Sequence, residues 1–429
     1  MRFSLWLAGL FAIAVAVALF AGSNPGTVTL FWPPYRVDLS LNLVLLMLVA
    51  VFVTLHLALR ALSVMFSIPR QARRWRLQQK ERAIQAALLD AFSHLMGGRF
   101  IRARKSAELV ASLEEAVAQS GEHLGYAHRL KVLAHLLAAE SAHALQDRSL
   151  RDTHLDKALE QASAREAQDI REGVLLRAAR WAFDDRDPQR TAQWLDQLPQ
   201  GAGRRTVALR LRFKAARLAG QPLQALDLSR LLTKHRAFSE VAGSSIARGL
   251  AIEHLSAAYD TAQLQRAWTE LEPQERAMPD VAMQAAERLL ELGGDAALAR
   301  AWLLPVWELM QGQPDGLPMA QKIRLARVLE AGFAASDELP DSGWLGRIEA
   351  AQLANPRDAV LQYLAGVVCM RLGLWGKAQQ LLRQSLSLLK DAGLKRDTWR
   401  ALAQLAEQRQ DPAAATEAYR QALQLTPKH

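Results

Sequence analysis

Cysteine is almost absent from this chain. Cys369 is the only one, which excludes an intramolecular disulfide and any Cys-rich metal site. β-branched residues are sparse beyond residue 70, where Ala, Leu, Gln, Arg and Glu dominate. That composition disfavours sheet and favours helix. The familiar catalytic motifs are missing too. The nearest approach to Gly-x-Gly-x-x-Gly is Gly201-Ala202-Gly203, which lacks the third glycine and a preceding strand, so a flavin or nicotinamide enzyme is unsupported. There is no P-loop, no zinc-protease helix and no Gly-x-Ser-x-Gly. The net charge is +10, yet no RNP-type aromatic motif, zinc-finger spacing or helix-turn-helix accompanies it. The excess charge is therefore not read as nucleic-acid binding.

Charge is also missing from one long stretch. Leu39 to Leu59 contains no Asp, Glu, Lys or Arg over 21 residues, about 31 Å of helix and close to the thickness of a bilayer's hydrocarbon core. Arg60, Arg70, Arg73, Arg74, Arg76, Lys80 and Arg82 follow it, opposed only by Glu81. Phe3 to Ala21 is likewise apolar, behind Arg2. It fits a cleaved signal peptide or a first membrane helix, and the second span close behind favours the helix. Ala8, Ala12 and Ala16 form a small-residue stripe that lets another helix approach. The link between the spans alternates at strand period over Thr27–Trp32, turns at Pro33-Pro34-Tyr35 and runs out through Arg36–Leu39. This predicts a short hairpin, with Trp32 and Tyr35 suited to a membrane interface. The basic flank places both termini and everything after residue 60 on the cytoplasmic side. Arg70, Arg73, Arg74, Trp75 and Arg76 are expected to meet anionic headgroups. His56, inside the second span, is read as a group that reaches interfacial water.

The rest of the chain repeats. Trp399, Leu402, Ala403, Ala406, Ala415, Tyr419, Ala422 and Pro427 fall at positions 4, 7, 8, 11, 20, 24, 27 and 32 of a 34-residue frame starting at Arg396. This is the tetratricopeptide pattern. The unit before it starts near Ala359, with Gly366, Gly373, Trp375 and Ala378 at positions 8, 15, 17 and 20. Weaker copies appear at Gly98 with Ala103, Gly220 with Ala225 and Gly294 with Ala299. The array is read as eight or nine degenerate helical hairpins. Gln311–Pro318 and Ser336–Gly343 look like insertions, and Gln200–Gly203 like a break. Stacked hairpins bury stripes that none could bury alone and leave a concave face lined by first helices. Trp181, Trp194, Trp268, Trp302, Trp307 and Trp375 are expected in the core between hairpins. Tyr363, Met370, Arg371, Arg400, Gln404 and Glu407 are the expected partner-binding residues on the concave face. His123, His128, His135 and His143 are spaced poorly for a metal site on one helical face. Cys369 sits at a packing position. No catalytic residue, metal or cofactor is assigned.

The chain is thus expected to be all-α, with two N-terminal transmembrane helices followed by a tetratricopeptide-like α-solenoid. Residues 1–68 form a membrane anchor, with helices about 3–21 and 39–59 around a hairpin at 22–38. Residues 69–200 form a basic juxtamembrane helix and the first repeats, and 201–429 the further repeats, clearest at 359–392 and 396–429.

Two spans, the loop Trp32-Pro33-Pro34-Tyr35-Arg36-Val37-Asp38-Leu39-Ser40, the helix Pro69-Arg70-Gln71-Ala72-Arg73-Arg74-Trp75 and the run Leu136-Leu137-Ala138-Ala139-Glu140-Ser141-Ala142 together resemble the proteobacterial HemY proteins. The resemblance implies a two-pass protein of the bacterial inner membrane, tied to late haem (porphyrin) biosynthesis, with a periplasmic hairpin and a cytoplasmic repeat domain. It implies a non-catalytic scaffold whose partners are membrane lipids and haem-pathway enzymes, leaves homo-oligomerisation open and carries over no catalytic residue. Two other readings remain: a tethered adaptor for envelope assembly, whose usual Cys-rich module has no counterpart here, and a direct haem or porphyrin carrier.

Overall fold

A computed structural model describes residues 2–22, 25–121, 124–312, 316–335 and 342–425. Within the helices the side chains of residues 2–8, 10, 20–21, 64–74, 166 and 342 are also outside the description. His123, Pro427 and parts of both expected insertions therefore fall outside it, as do the side chains of Arg70, Arg73 and Arg74. The described residues form helices and one two-stranded hairpin.

Helix α1 spans Arg2–Gly22. Strands β1 (Thr27–Trp32) and β2 (Tyr35–Ser40) then pair antiparallel, from Thr27 opposite Ser40 to Trp32 opposite Tyr35. Leu39 and Ser40 belong to this ladder, so the next helix starts later than the apolar run suggests. Ser40 caps it, its hydroxyl accepting from the Leu43 amide at 3.3 Å. Helix α2 runs from Leu41 to Met96 without interruption, 56 residues or about 84 Å. The sequence suggested a span and then a separate helix from Pro69, but the chain makes one helix of both. It ends only where Gly97 and Gly98 follow, with Gly98 in the left-handed region at φ 69°.

Among the described residues one stretch, Leu41–Ser63, is long and apolar enough to cross a membrane, and none of it is buried within the protein. Because α2 is continuous, the basic residues follow the span along the helix axis. Arg70 comes about 10 Å and Trp75 about 18 Å beyond Ser63.

The chain divides into two compact units, Met1–Ile170 and Arg171–His429. In the first, the far end of α2 packs with α3 (Phe100–Gln119), and α4 (Ala127–Ala144) with α5 (Arg148–Gln161). Ile84, Ala87, Val110, Val117, Leu130 and Ala134 form a core shared by α2, α3 and α4. The helix that carries the span is therefore also the first helix of the first hairpin.

The second unit continues the alternation from within α6 (Gln168–Asp184). Then come α7 (Pro188–Asp196), the single turn α8 (Gln200–Gly203), α9 (Thr206–Leu218), α10 (Pro222–Lys234), α11 (Glu240–Ser256), α12 (Thr261–Glu270) and the single turn α13 (Pro273–Arg276). The last are α14 (Pro279–Glu291), α15 (Ala296–Gly312), α16 (Met319–Ala334), α17 (Ser342–Ala354), α18 (Ala359–Arg371), α19 (Trp375–Leu388), α20 (Ala392–Gln408) and α21 (Pro412–Gln424). Gln200–Gly203 is thus a helical turn inside this unit and not a break. The last repeat starts before Arg396, because the Asp391 carboxylate caps α20 by accepting from the Leu394 amide at 2.7 Å.

One turn geometry recurs between first and second helices. A residue at positive φ is followed by an amide that bonds back five residues into the helix just ended. It occurs at Gly98, Gly220, Gly293 and Gly373, where glycine carries no Cβ penalty, and equally at Gln146, Arg186 and Gln410. Asp147, Asp187 and Asp411 then cap the second helix. Small residues fill the crossing. A Cβ on Gly366 would lie 2.8 Å from Leu382 Cγ, which is why position 8 of that repeat is glycine.

Candidate functional site

In the second unit the first helices pack on one another, α11 on α14, α14 on α16, α16 on α18 and α18 on α20. The second helices pack on their own partners and on the first helix that follows, α10 on α11, α15 on α16 and α19 on α20. The first helices are therefore the closer row and line the inner face of the stack, where tetratricopeptide arrays bind.

Across α11, α14, α16 and α20, arginines of this inner face are paired with carboxylates of other helices. Arg248 of α11 meets Asp280 of α14 at 3.3 Å, and Gln321 of α16 donates to the same Asp280 at 2.8 Å. Arg324 of α16 holds Glu287 of α14 through two nitrogens, at 2.9 and 2.6 Å. Arg327 of α16 reaches past α18 to Asp397 of α20 at 2.8 Å and approaches Asp391 at 3.9 Å. Gly393 makes room for it, since a Cβ there would stand 2.7 Å from Arg327 Nη2.

This clasp closes over α18, whose residues Val360 to Cys369 are all buried. A helix apolar on nearly every side has to be covered on every side. Tyr363 is fully buried, and its hydroxyl donates to Glu330 Oε2 at 2.6 Å. Burial raises the Glu330 carboxyl above its ordinary value, and the Tyr363 bond opposes the rise. Burial, then the charge of Glu330, raises the Tyr363 phenol. The expectation that Tyr363 faces a partner is therefore corrected: its repeat position points inward, but neighbouring helices occupy the space. Met370 is half-buried, whereas Arg371, Arg400, Gln404 and Glu407 are exposed.

The early inner face is different. On α6 the exposed positions Gly173, Arg177, Arg180 and Asp184 share one side, as do Val207, Arg210, Lys214 and Arg217 on α9. Arg205 binds Glu172 at 2.8 Å and Lys214 Nζ lies 6.0 Å from the Phe183 ring. These two ties advance along both chains together, so α6 and α9 run parallel. On its other flank α9 is tied towards α11 by Arg210 donating to the Ala237 carbonyl at 2.9 Å and by Phe213 edge-on to Phe238. Carboxylates are scarce here. Arg180 stands 3.9 Å from Asp184, Arg210 bonds a carbonyl, Lys214 faces a ring, and Arg217 has no carboxylate partner among the described residues.

Trp32 and Tyr35 pair at the tip of the hairpin, each 72% exposed, and Trp75 and Arg76 are exposed on α2. Trp181, Trp268, Trp302 and Trp307 are buried, as expected; Trp194 is half-buried and Trp375 is 38% exposed. Trp375 is the first residue of α19, just after the turn at Gly373.

In the first unit, His135 of α4 and His154 of α5 meet through their Nδ1 atoms at 3.2 Å, with Glu108 of α3 3.6 Å from His154 Nε2. Sequence spacing missed this pair because His154 lies on the next helix. Burial, then His154, Lys157 and Lys131, pushes His135 down to about 4. Among the described residues no three His, Cys, Asp or Glu side chains converge on a metal position. Cys369 is buried, and burial raises its thiol.

No protein with a curated description matches the chain. Among solved structures it matches yeast Tom70 (16% identity, TM-score 0.29, 74% of this chain and 62% of that one) and the Cut9–Hcn1 hetero-tetramer (13%, 0.25, 79% and 78%). It also matches a TPR domain (14%, 0.23, 76% and 99%). The chain thus spans 62% of the length of the Tom70 structure. Residues 26–146 match the family described as HemY protein N-terminus. The chain therefore carries a HemY-type N-terminal segment, as the loop, the Arg-rich helix and the run at Leu136–Ala142 implied.

Proposed function

We propose that this protein is a non-catalytic scaffold of the bacterial inner membrane, presenting a cytoplasmic repeat surface to enzymes of late haem (porphyrin) biosynthesis. The observation that carries this reading is α2. One helix supplies both a membrane-crossing stretch and the first helix of the repeat array, so whatever the array binds is held beside the bilayer. Tethering raises effective concentration and keeps poorly soluble porphyrin intermediates local. The pathway rests on the HemY-type segment.

In this reading α1 is the first of two spans and the hairpin is periplasmic, with Trp32 and Tyr35 at the outer interface. Residues 60–429 are cytoplasmic, and Arg70, Arg73, Arg74, Trp75 and Arg76 lie on the side of the anionic inner leaflet. Residues 1–68 act as the anchor, and the repeats follow. Arg371, Arg400, Gln404 and Glu407 offer a partner strip beyond the closed part of the inner face.

Affinity capture from native membranes tests the reading, together with porphyrin analysis of a deletion strain. Recovery of tetrapyrrole enzymes and accumulation of an intermediate are expected. Capture of none, with normal porphyrins, would refute it, as would a protease-accessible repeat domain on the periplasmic side.

A further inference from the structure

We infer that the open inner face of α6 and α9 is a docking site for an acidic, extended segment of a partner protein. Arg248, Arg324 and Arg327, on the inner side of α11 and α16, each have a carboxylate on another helix. Arg180, Arg210, Lys214 and Arg217 stand on the exposed sides of α6 and α9, and among the described residues the carboxylate paired with one of them is Asp184, 3.9 Å from Arg180. Four cations on one exposed surface repel each other, and a ligand bearing carboxylates relieves that repulsion.

Spacing favours an extended chain. Arg210 and Lys214 stand four residues apart on α9, about 6 Å along its axis. Alternate side chains of an extended peptide recur at about 6.6 to 6.8 Å on one side. Carboxylates at alternate positions therefore meet Arg210 and Lys214 in turn, with Arg217 about 4.5 Å further along the axis. Val207, 66% exposed at one end of the row, and Leu218, 40% exposed at the other, give apolar contacts for flanking residues. A strand laid along α9 can meet the row residue by residue, whereas a bilayer surface is flat and would meet only the side chains that project furthest.

This inference rests on the reading of the protein as one that gathers other proteins, but not on the pathway. Haem-pathway capture could fail while the face still binds acidic peptide, and that outcome would remove only the pathway.

The test is fluorescence anisotropy with the full chain in neutral-lipid nanodiscs. The probe is a labelled peptide of glutamates alternating with serines, compared with the same peptide carrying glutamines. The glutamate peptide should bind about tenfold or more tightly than the glutamine one, and should weaken as salt rises. Arg210→Glu with Lys214→Glu should lower affinity by a similar factor. The neutral pair Lys214→Ala with Arg217→Ala, which keeps the Arg210 bond to the Ala237 carbonyl, should lower it less. Equal binding of the two peptides, or unchanged affinity in the charge-reversed variant, would overturn the proposal. So would anionic vesicles, but not peptide, requiring Arg210 and Lys214.

Discussion

The early and late parts of the inner face use the same helical row for opposite ends. Around α16, α18 and α20 the row is sealed by Tyr363 on Glu330 and by Arg327 on Asp397. Around α6 and α9 it is open, with arginine and lysine directed between helices and few acids to meet them. Sealing gives a rigid end to the array. Leaving charges unmatched costs some stability and leaves a surface that something else can match. A repeat array can thus separate structural repeats from recognition repeats without changing its backbone.

The largest effect should come from opening the sealed end. Tyr363→Ala removes a fully buried ring and should cost about 3–5 kcal/mol in denaturant unfolding, whereas Arg217→Ala on the open face should change stability by less than about 0.5 kcal/mol. Equal effects at the two sites would break the comparison.

Glycine substitutions sharpen it next. Gly366→Ala puts a Cβ 2.8 Å from Leu382 Cγ and should destabilise by about 1–3 kcal/mol. Gly173→Ala meets no atom within 4 Å. It should stabilise by about 0.5–1 kcal/mol, because the helix interior gains a better helix former. Arg327→Ala removes a partly exposed ion pair and should cost no more than about 1 kcal/mol, read as a small shift in the unfolding midpoint.

The first unit provides a pH contrast. Folding holds His135 below its ordinary value, down from 6.5 to about 4. The neutral form is the one the fold favours, so its contribution is complete above pH 6.5 and is lost as pH falls towards 4. Melting temperature should drop across that window, and less steeply in His135→Asn. Parallel curves for the two proteins would remove the histidine pair as the cause.

How much of this was legible in the sequence depended on residue type. Gly98, Gly220 and Gly373 announced their turns, because glycine adopts positive φ freely. Gln146, Arg186 and Gln410 make the same turn with no such mark, held by the backbone bond and an aspartate cap. Where alanine fills the crossing at Ala103 and Ala225, the equivalent places five residues after Gln146 and Arg186 hold Arg151 and Thr191, both buried. Those two hairpins were invisible to a small-residue frame. Tyr363 was placed on the correct helix and at the correct repeat position, but its burial depends on α16 and α20 packing on α18 and on Glu330, 33 residues away. The open basic face was missed for a related reason. Scattered arginines look alike in a sequence, and only the partners on adjacent helices distinguish the neutralised ones from the rest.

The central claim is that proteins engage the array through its open inner face, and a photo-crosslinking residue in native membranes tests it most directly. Placed at Val207, it should give protein adducts that disappear with Arg210→Glu and Lys214→Glu, and placed at Leu388 on an outer helix it should give none. Adducts at Leu388 alone, or only lipid adducts at Val207, would contradict the account.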